Sequence, residues 1–598
     1  MDPTGHIPKM SIGPAGRRRR RRGATALAAL ALAAAALLAV AAPAWTATTN
    51  VTMVGRGWGH GIGMSQWGAY GYAKHGWTYK EILKHYYTGI SLGQVDNAVI
   101  RVRLRGGVGT VRLTCANAYV AAVTGTQLKI PGGTTAVVTW TSGKYRVTAG
   151  ALSQTFGSPV TFKPTSGQLT TVTPDDWGKT GKYRGVIRVF HSSSGFTIIN
   201  KLPLESYLRG VVPYEMPSSW PAEALKAQAC AARAYAERSR NPGEAFDVYC
   251  TTRDQAYGGM RGEAAGSNAA VKASAGVVPS YNGQPIAAFY FSTSGGHTEN
   301  IENVWQTSPV PYLKGVDDPY DTFSPLHLWP ENPIVHGAAW FEDRLGTYRD
   351  DNPTGVKGSL RTIFVVKRGV SPRVVKAAIV GTKGMTFVSG ASLRYKLALR
   401  DTWVAFTSMS LVADATTVTY GVGTRVRGRI YPALDEGATV TLRYVRDGGS
   451  GSLTVSTTRH TQDLGSGYKA TYSTYSYDAK PNKATTYFYV SDKARSPKVK
   501  LNVRPAVSME ASATSVAAGD VVKFSAKTTP LLPGATVWLQ TKSGGAWTNV
   551  VSAAFNADGA CSFDWTAVAG VTAARFRVPA TAGLVTGYSS PLALTVTD

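Results

Sequence analysis

The sequence predicts an α+β core, in which one dominant helix packs with β-rich segments, followed by two all-β sandwich modules. Three observations lead there. From Val95 to Phe196 short runs alternate apolar and polar residues, as in Val99-Ile100-Arg101-Val102-Arg103-Leu104 and Gly185-Val186-Ile187-Arg188-Val189-Phe190, the period of half-buried strands. Between Leu204 and Ser239 the texture changes, and Leu, Ala, Glu, Lys and Gln recur at helical spacing. From Ser410 onward the texture is all-β, and two similar lengths meet at Val503-Arg504-Pro505.

The chain has 598 residues, 43% of them hydrophobic and 17% charged, enough apolar material for roughly three to five folding units. Charged residues fall below the roughly 25% usual in soluble proteins, while 64 glycines favour a loop-rich, strand-rich surface. Wholesale disorder is excluded. The glycines show no three-residue period, which excludes collagen, and a single long apolar run excludes a polytopic membrane protein.

That run, Ala24 to Ala42, follows the block Arg17 to Arg22 and reads as a secretion signal. Ala42-Pro43-Ala44 is a small-x-small cleavage pattern, although a run of this length also suits an uncleaved anchor. A twin-arginine route is disfavoured because Gly23-Ala24-Thr25 follows the arginines. Either way most of the chain is expected outside the cytoplasm.

In residues 1–44, Lys9 and six arginines stand against Asp2, so six of the net +28 charges lie there and the remainder stays strongly basic. No nucleic-acid motif is present. Export turns the basic surface toward anionic wall polymers, with simple solubility as the plainer alternative. Cys115, Cys230, Cys250 and Cys561 have no Cys-x-x-Cys spacing, which argues against a zinc site. Cys230 and Cys250 are close in sequence, and an oxidising compartment would let them pair.

Pro221 marks the start of the main helical run, and Asn241-Pro242-Gly243 stops it. A second helix is expected near Gly266–Ala275, with strands at Ala287–Ser292 and Phe364–Lys367. Tyr72 to Tyr87 reads as a helical region carrying aromatic residues. In the tail, Gly-Ala-Thr-Val opens a strand at Gly437 and again at Gly534. Two tandem immunoglobulin-like sandwiches of roughly 90 residues fit this repeat, without the Cys-Trp-Cys core of antibody domains.

The stretch Leu202 to Ala236, LPLESYLRGVVPYEMPSSWPAEALKAQACAARAYA, is the most informative for chemistry. Glu215 stands among Val211, Val212, Pro213, Tyr214, Met216 and Pro217, with Trp220 close by. Desolvation there would raise its pKa, as a general acid needs near neutral pH; the plainer alternative is an ion pair or a helix cap. Lys226 and Arg233, seven residues apart, share a helix face and can present two cations to an anionic ligand.

These residues closely resemble the SpoIID/LytB family of cell-wall proteins. The resemblance rests on Leu204, Tyr207, Leu208, Gly210 to Val212 and Glu215 to Pro217, on LKAQACAARAYA, and on Thr251-Thr252 with Gln255 and Tyr257. It continues through FSTSGGHTENIENVW (Phe291–Trp305) and PYLKGVDDPYD (Pro311–Asp321). A second signature of the family, GRGWGHGIGMSQWGAYGYAKHGWTYKEILKHYYTGI, spans Gly55–Ile90. It usually ends the catalytic domain; here it precedes the core, so an N-terminal segment is expected to complete a permuted domain. His60 and His85, within it, suit either structural hydrogen bonds or the cleft.

The expected division is 1–44 signal peptide or N-terminal anchor, 45–95 the completing block, 96–200 a β-rich domain, 201–409 the catalytic core, and 410–504 and 505–598 the two immunoglobulin-like modules.

The resemblance implies lytic transglycosylase action on peptidoglycan glycan strands. The sugar's own C6 hydroxyl is then the nucleophile, so one carboxyl suffices where glycosidases use two. Carried over, Glu215 is the acid and then the base, Lys226 and Arg233 bind glycan or developing charge, and Gln255, Tyr257, Ser294, His297 and His60 are further cleft candidates. Gly295-Gly296 suits either backbone amides near the sugar or a tight turn. Many relatives carry Cys-Asp-Thr-Thr-x-Cys where this chain has Tyr249-Cys250-Thr251-Thr252-Arg253-Asp254. The local cysteine pair is therefore absent, no metal or other cofactor is expected, and Cys230–Cys250 would replace the cross-link. The LytB side of the family implies an alternative, a non-catalytic wall-binding enhancer of an N-acetylmuramoyl-L-alanine amidase. A third reading, an adhesion or scaffold protein, would place wall binding in Ser410–Asp598 alone.

Overall fold

The structure, a computed structural model, describes residues 48–465, 467–492 and 494–598. The arginine block and apolar run read as an export signal lie outside them. Among the described residues no helix is long and apolar enough to cross a membrane.

The first strand, Thr48–Gly55, pairs antiparallel with Val404–Ala413 on one side and Ile334–Gly337 on the other. A glycine-rich loop then leads into helix α1 (Gln66–Lys74), whose N-cap Ser65 accepts a hydrogen bond from the Gly68 amide at 3.1 Å. Helix α2 (Tyr79–Tyr86) follows, closed by a Thr78–Glu81 capping box. The helical region expected from Tyr72 to Tyr87 is thus two helices. Gly76 separates them at φ +84°, with the Gly76 amide donating to Ala73 O and the Trp77 amide to Tyr72 O, a Schellman end to α1.

Residues 99–203 form two antiparallel sheets over a shared core. One has strands Val99–Val108, Gly195–Pro203, Val186–Ser192, Val160–Pro164, Tyr119–Val123 and Thr126–Ile130 in spatial order, with Val248–Tyr249 added in parallel at the edge. The other holds Leu152–Phe156, Lys144–Ala149, Ala136–Thr141, Val111–Cys115, Leu169–Thr171 and Gly181–Tyr183. The alternation in the sequence is realised directly: Ile100, Val102 and Leu104 are buried, while Arg101 pairs with Asp247 and Arg103 with Asp176.

The helical texture from Leu204 to Ser239 also resolves into two helices, α3 (Leu204–Glu215) and the longer α4 (Ala222–Ser239), with Pro221 at the N-cap of α4. The turn Met216–Pro221 between them places Glu215 at the last position of α3. Helix α5 (Ala265–Ala273) packs against both. The strand expected at Ala287–Ser292 shrinks to Tyr290–Phe291, which pairs in parallel with Met64–Ser65. Tight turns explain the loss: Ala288 N–H donates to Ile286 O and Phe289 N–H to Ala287 O.

A three-stranded sheet (Leu360–Arg368, Val374–Gly381, Gly384–Ser389) with helices Ala338–Leu345 and Gly390–Leu397 forms a separate core around Phe341, Ile363, Ile379 and Leu393. Among the described residues beyond Leu397 every helix or strand element is a strand. Gly-Ala-Thr-Val opens strands Thr439–Arg446 and Thr536–Ser543, and each half carries one short parallel pair, Thr417–Thr419 with 502–504 and Ser515–Ala517 with Thr595–Thr597. A boundary at Ser410 falls inside strand Val404–Ala413, which pairs with Thr48–Gly55 and also with Thr424–Tyr431. The tail's first sheet is therefore continuous with the chain's first described strand.

Candidate active site

Glu215 is partly open to solvent yet surrounded by protein. Its Oε1 accepts the Ala256 amide at 2.9 Å and its Oε2 accepts the Gln66 side-chain amide at 3.3 Å. Burial lifts the carboxyl's pKa above the ordinary glutamate range, while the Ala256 amide, the Gln66 side chain and the nearby Tyr290 hydroxyl favour the anion and limit the rise. The apolar company visible in the sequence supplies that burial: Val211, Val212 and Met216 are fully enclosed.

The two motif blocks meet at this carboxyl. Gln66, buried at the start of α1, was not among the expected site residues; its signal was a polar side chain inside the small and apolar run Gly61–Ala69. Steric fit fixes α1 in place, because a Cβ on Gly68 would lie 1.9 Å from Tyr86 Oη and 2.3 Å from Asp318 Oδ2.

Behind Glu215 runs a directional chain. Tyr207 Oη donates to Gln255 Oε1 at 3.1 Å, and Gln255 Nε2 donates to Tyr290 Oη at 2.9 Å and to Ala232 O at 3.3 Å. Tyr290 Oη accepts from Gln255, so its proton is free to point at Glu215. Gln255 is buried and acts on Glu215 through Tyr290. Tyr290, like Gln66, is not among the expected site residues; its only signal in the sequence is membership of the expected strand Ala287–Ser292.

His60 belongs to the same assembly. Its Nδ1 accepts the Ile62 amide at 3.0 Å, which leaves the proton on Nε2 to donate to Tyr290 O at 3.1 Å. Burial first, then the Arg394 guanidinium, lower its pKa to about 3. His60 is thus a neutral clamp on the Tyr290 backbone. His85 is structural too, with Nε2 lying 2.9 Å from Tyr72 Oη and 2.8 Å from Asp317 O.

Several expected ligand groups are placed elsewhere. Arg233 is 0% exposed; it donates to both carboxylate oxygens of Glu205 at 2.7 and 2.9 Å and to Val277 O at 2.8 Å. These contacts make it a framework cation and correct its expected place in the cleft. Lys226 lies in the first turns of α4 and is partly exposed, 2.7 Å from Glu223. It lines a shallow cavity of about 240 Å³ with Ser218, Trp220 and Leu225. Tyr257 is buried under Gly210 with its hydroxyl donating to Asn200 Oδ1 at 2.7 Å, also a framework role. Cys230 and Cys250 are free and separately buried, which corrects the expected disulfide. The Arg233 guanidinium donates to Cys230 Sγ and the Cys250 thiol donates to Leu104 O.

The turn around Gly295-Gly296 does not offer its amides to a sugar. Ser294 N–H and Gly295 N–H donate to Asp321 Oδ1 and Oδ2 at 2.8 and 2.9 Å, and Gly296 N–H donates to Ser294 Oγ at 3.0 Å. Arg373, paired with Asp401, donates to Ser294 O and His297 O. Ser294 is therefore buried, and His297 sits at the rim, 3.6 Å from exposed Asp317.

An aromatic group borders the carboxyl. Trp67, next to Gln66, lies 4.7 Å from Trp220, which lies 5.0 Å from Tyr70, which lies 5.5 Å from Phe323.

A family model described as Stage II sporulation protein matches residues 192–281, the span that holds α3, Glu215, α4 and Gln255. The chain is 34% identical over 264 residues to Stage II sporulation protein D of Bacillus subtilis, covering 40% of this chain and 71% of that protein. The protein of the same name from Bacillus amyloliquefaciens is 32% identical over 262 residues, 41% of this chain and 72% of the relative. An amidase enhancer of Bacillus subtilis is 45% identical over 114 residues, 19% of this chain and 15% of its own length. With the motif residues gathered at one carboxyl and a relative matched over most of its length, the chain belongs to the SpoIID/LytB family.

Proposed function

We propose that this chain is an exported lytic transglycosylase that cleaves peptidoglycan glycan strands without adding water. The observation that carries the reading is Glu215, a partly open carboxyl raised in pKa by burial and held by two fixed donors. Protonated Glu215 gives its proton to the glycosidic oxygen as the bond to the muramic C1 breaks. The C6 hydroxyl oxygen of the same residue bonds to C1, and the Glu215 carboxylate takes the hydroxyl's proton. Glu215 ends protonated, the leaving sugar keeps the first proton, and no water is consumed.

Between the two transfers the carboxylate must be kept in place. Ala256 N–H and Gln66 Nε2 do this beside the Tyr290 hydroxyl, with Gln255 and His60 holding Tyr290 by its hydroxyl and its backbone. Such fixed donors spend little reorganisation at the moment of reaction. Lys226 is the charged candidate nearest the surface for wall contacts. The relatives named for sporulation stage II support a role at the cell wall. The two C-terminal β modules, read as immunoglobulin-like, and the basic surface would hold the enzyme against glycan and anionic wall polymer, outside the cell and anchored to the membrane if the signal is retained.

A second reading, a non-catalytic enhancer of an amidase, draws on the 45% identical stretch shared with an amidase enhancer. Mass spectrometry of products from denuded and peptide-bearing strands separates the two. Anhydro-ended fragments from wild type and none from Glu215→Gln are expected. Reducing ends would mean hydrolysis, and no product with wall binding retained would favour the enhancer.

A further inference from the structure

We propose that Trp67, Tyr70, Trp220 and Phe323 form a saccharide-binding subsite beside Glu215, on which a pyranose ring of the glycan strand lies; the proposal rests on the glycan-cleaving reading of that carboxyl. Three separated segments deliver the rings. Trp67 and Tyr70 come from one face of α1, Trp220 from the turn Met216–Pro221, and Phe323 from the short helix Pro319–Phe323. Their convergence is a product of the fold, since nothing local to any one segment requires it.

The rings meet at interplanar angles of 56° to 71°. Such tilted contacts buttress each ring by its neighbour's edge and leave ring surface outside the cluster. That surface faces solvent: Phe323 is 45% exposed, and Trp67, Tyr70 and Trp220 are each partly exposed. Nearby Tyr86, Tyr87 and Tyr207 are fully enclosed, while exposed rings elsewhere, such as Trp140 and Tyr395, lie outside this group. A contiguous apolar patch left in water marks a binding surface.

The polar tips agree. Among the described residues the indole N–H groups of Trp67 and Trp220 have no protein acceptor, as holds for every described tryptophan except Trp177 and Trp329, which donate to Cys250 O and Gly57 O at 2.8 Å. Apolar faces with unspent donors at their edges match a sugar, whose ring presents C–H groups on its faces and hydroxyl or acetamido oxygens around its rim.

Position selects the occupant. Trp67 directly follows Gln66, which donates to Glu215, and Trp220 stands at the end of the turn that Glu215 opens. The patch is thus carried in part by the two segments that meet at Glu215, which places a sugar bound there on the same side of the fold as the acid. The patch carries no acidic side chain of its own; its cationic neighbours are Lys74, 6.0 Å from the Tyr70 ring, and Lys226, which lines a cavity with Trp220, so a muramic residue with its carboxylate suits it as well as a neutral sugar.

The test uses the full-length chain carrying Glu215→Gln, so that binding is read without turnover, and denuded GlcNAc–MurNAc oligosaccharides as the probe. Tryptophan fluorescence is expected to change on titration, and calorimetry to give an affinity that falls about 5- to 10-fold with Phe323→Leu and with Tyr70→Ala. Trp220→Phe is expected to retain more affinity than Trp220→Ala, which separates ring contact from loss of the fold. Thermal unfolding of Phe323→Leu should match the parent because the ring is half exposed. Unchanged affinity in Phe323→Leu and Tyr70→Ala, or no binding by the parent, overturns the subsite. If affinity falls as expected while Glu215-competent chain yields no anhydro products, the subsite stands and the transglycosylase reading falls.

Discussion

Gln66 Nε2 donates to Glu215 Oε2 at 3.3 Å across 149 residues of sequence. The N-terminal motif block thereby touches the carboxyl delivered by the later one.

Gln66→Ala removes a donor that favours the Glu215 anion. The carboxyl's pKa is then expected to rise further, moving the basic limb of the pH–rate profile upward, and the rate to fall about 10-fold as the carboxylate loses a fixed partner. A profile that keeps its shape while only KM changes would place Gln66 in substrate binding.

Glu215 has a folded pKa above its unfolded value, because burial penalises the charge. Its ionisation therefore costs stability as pH rises past the ordinary carboxyl range. Glu215→Gln is expected to melt at a higher temperature than wild type at pH 8, with the gap closing below about pH 4, the unfolded glutamate range. Melting curves across that range check the sign.

Tyr290→Phe deletes the hydroxyl between Gln255 and Glu215. Turnover is expected to drop about 10- to 100-fold with a stability loss of about 1 kcal/mol, because Gln255 Nε2 keeps Ala232 O as a partner. Denaturant titration alongside product assays separates the two effects.

Arg233→Ala leaves Glu205 without its buried guanidinium, and a loss of about 3–5 kcal/mol is expected. Glu205→Gln combined with Arg233→Met should recover much of it. Lys226→Ala, in the first turns of the same helix, should change stability by less than about 1 kcal/mol, so any loss of wall binding there reports contact.

A chain ended at Met409 loses the last four residues of strand Val404–Ala413, two of which pair with Thr48 and Thr49, together with the tail strand Thr424–Tyr431 beside it. It is expected to be cut by protease faster than a chain ended at Arg504, which keeps that sheet whole. Equal resistance would mean that the sheet does not depend on the tail.

Local pattern carried far in this protein. Period-2 alternation marked Val99–Val108, helical spacing marked α4, and Pro221 and Asn241-Pro242 marked its ends. Gly-Ala-Thr-Val located matching strands in the two tail halves, and the desolvated setting of Glu215 was visible in its neighbours. What local pattern does not carry is depth and partnership. Lys226 and Arg233 share a face by spacing alone, but Glu205 on α3 and the strand bearing Val277 cover only Arg233, turning it into a framework ion pair.

Spacing and residue type along single segments are enough to mark the main helix, the alternating strands, the family and the candidate acid. Only the tertiary structure decided which groups surround that acid. Gln66, Tyr290 and Gln255 reach it from distant segments, and the amides at Ser294 and Gly295 are already spent on Asp321. Hydrogen bonds of that range depend on how packed segments cross, and crossing is set by the whole core rather than by any window of residues.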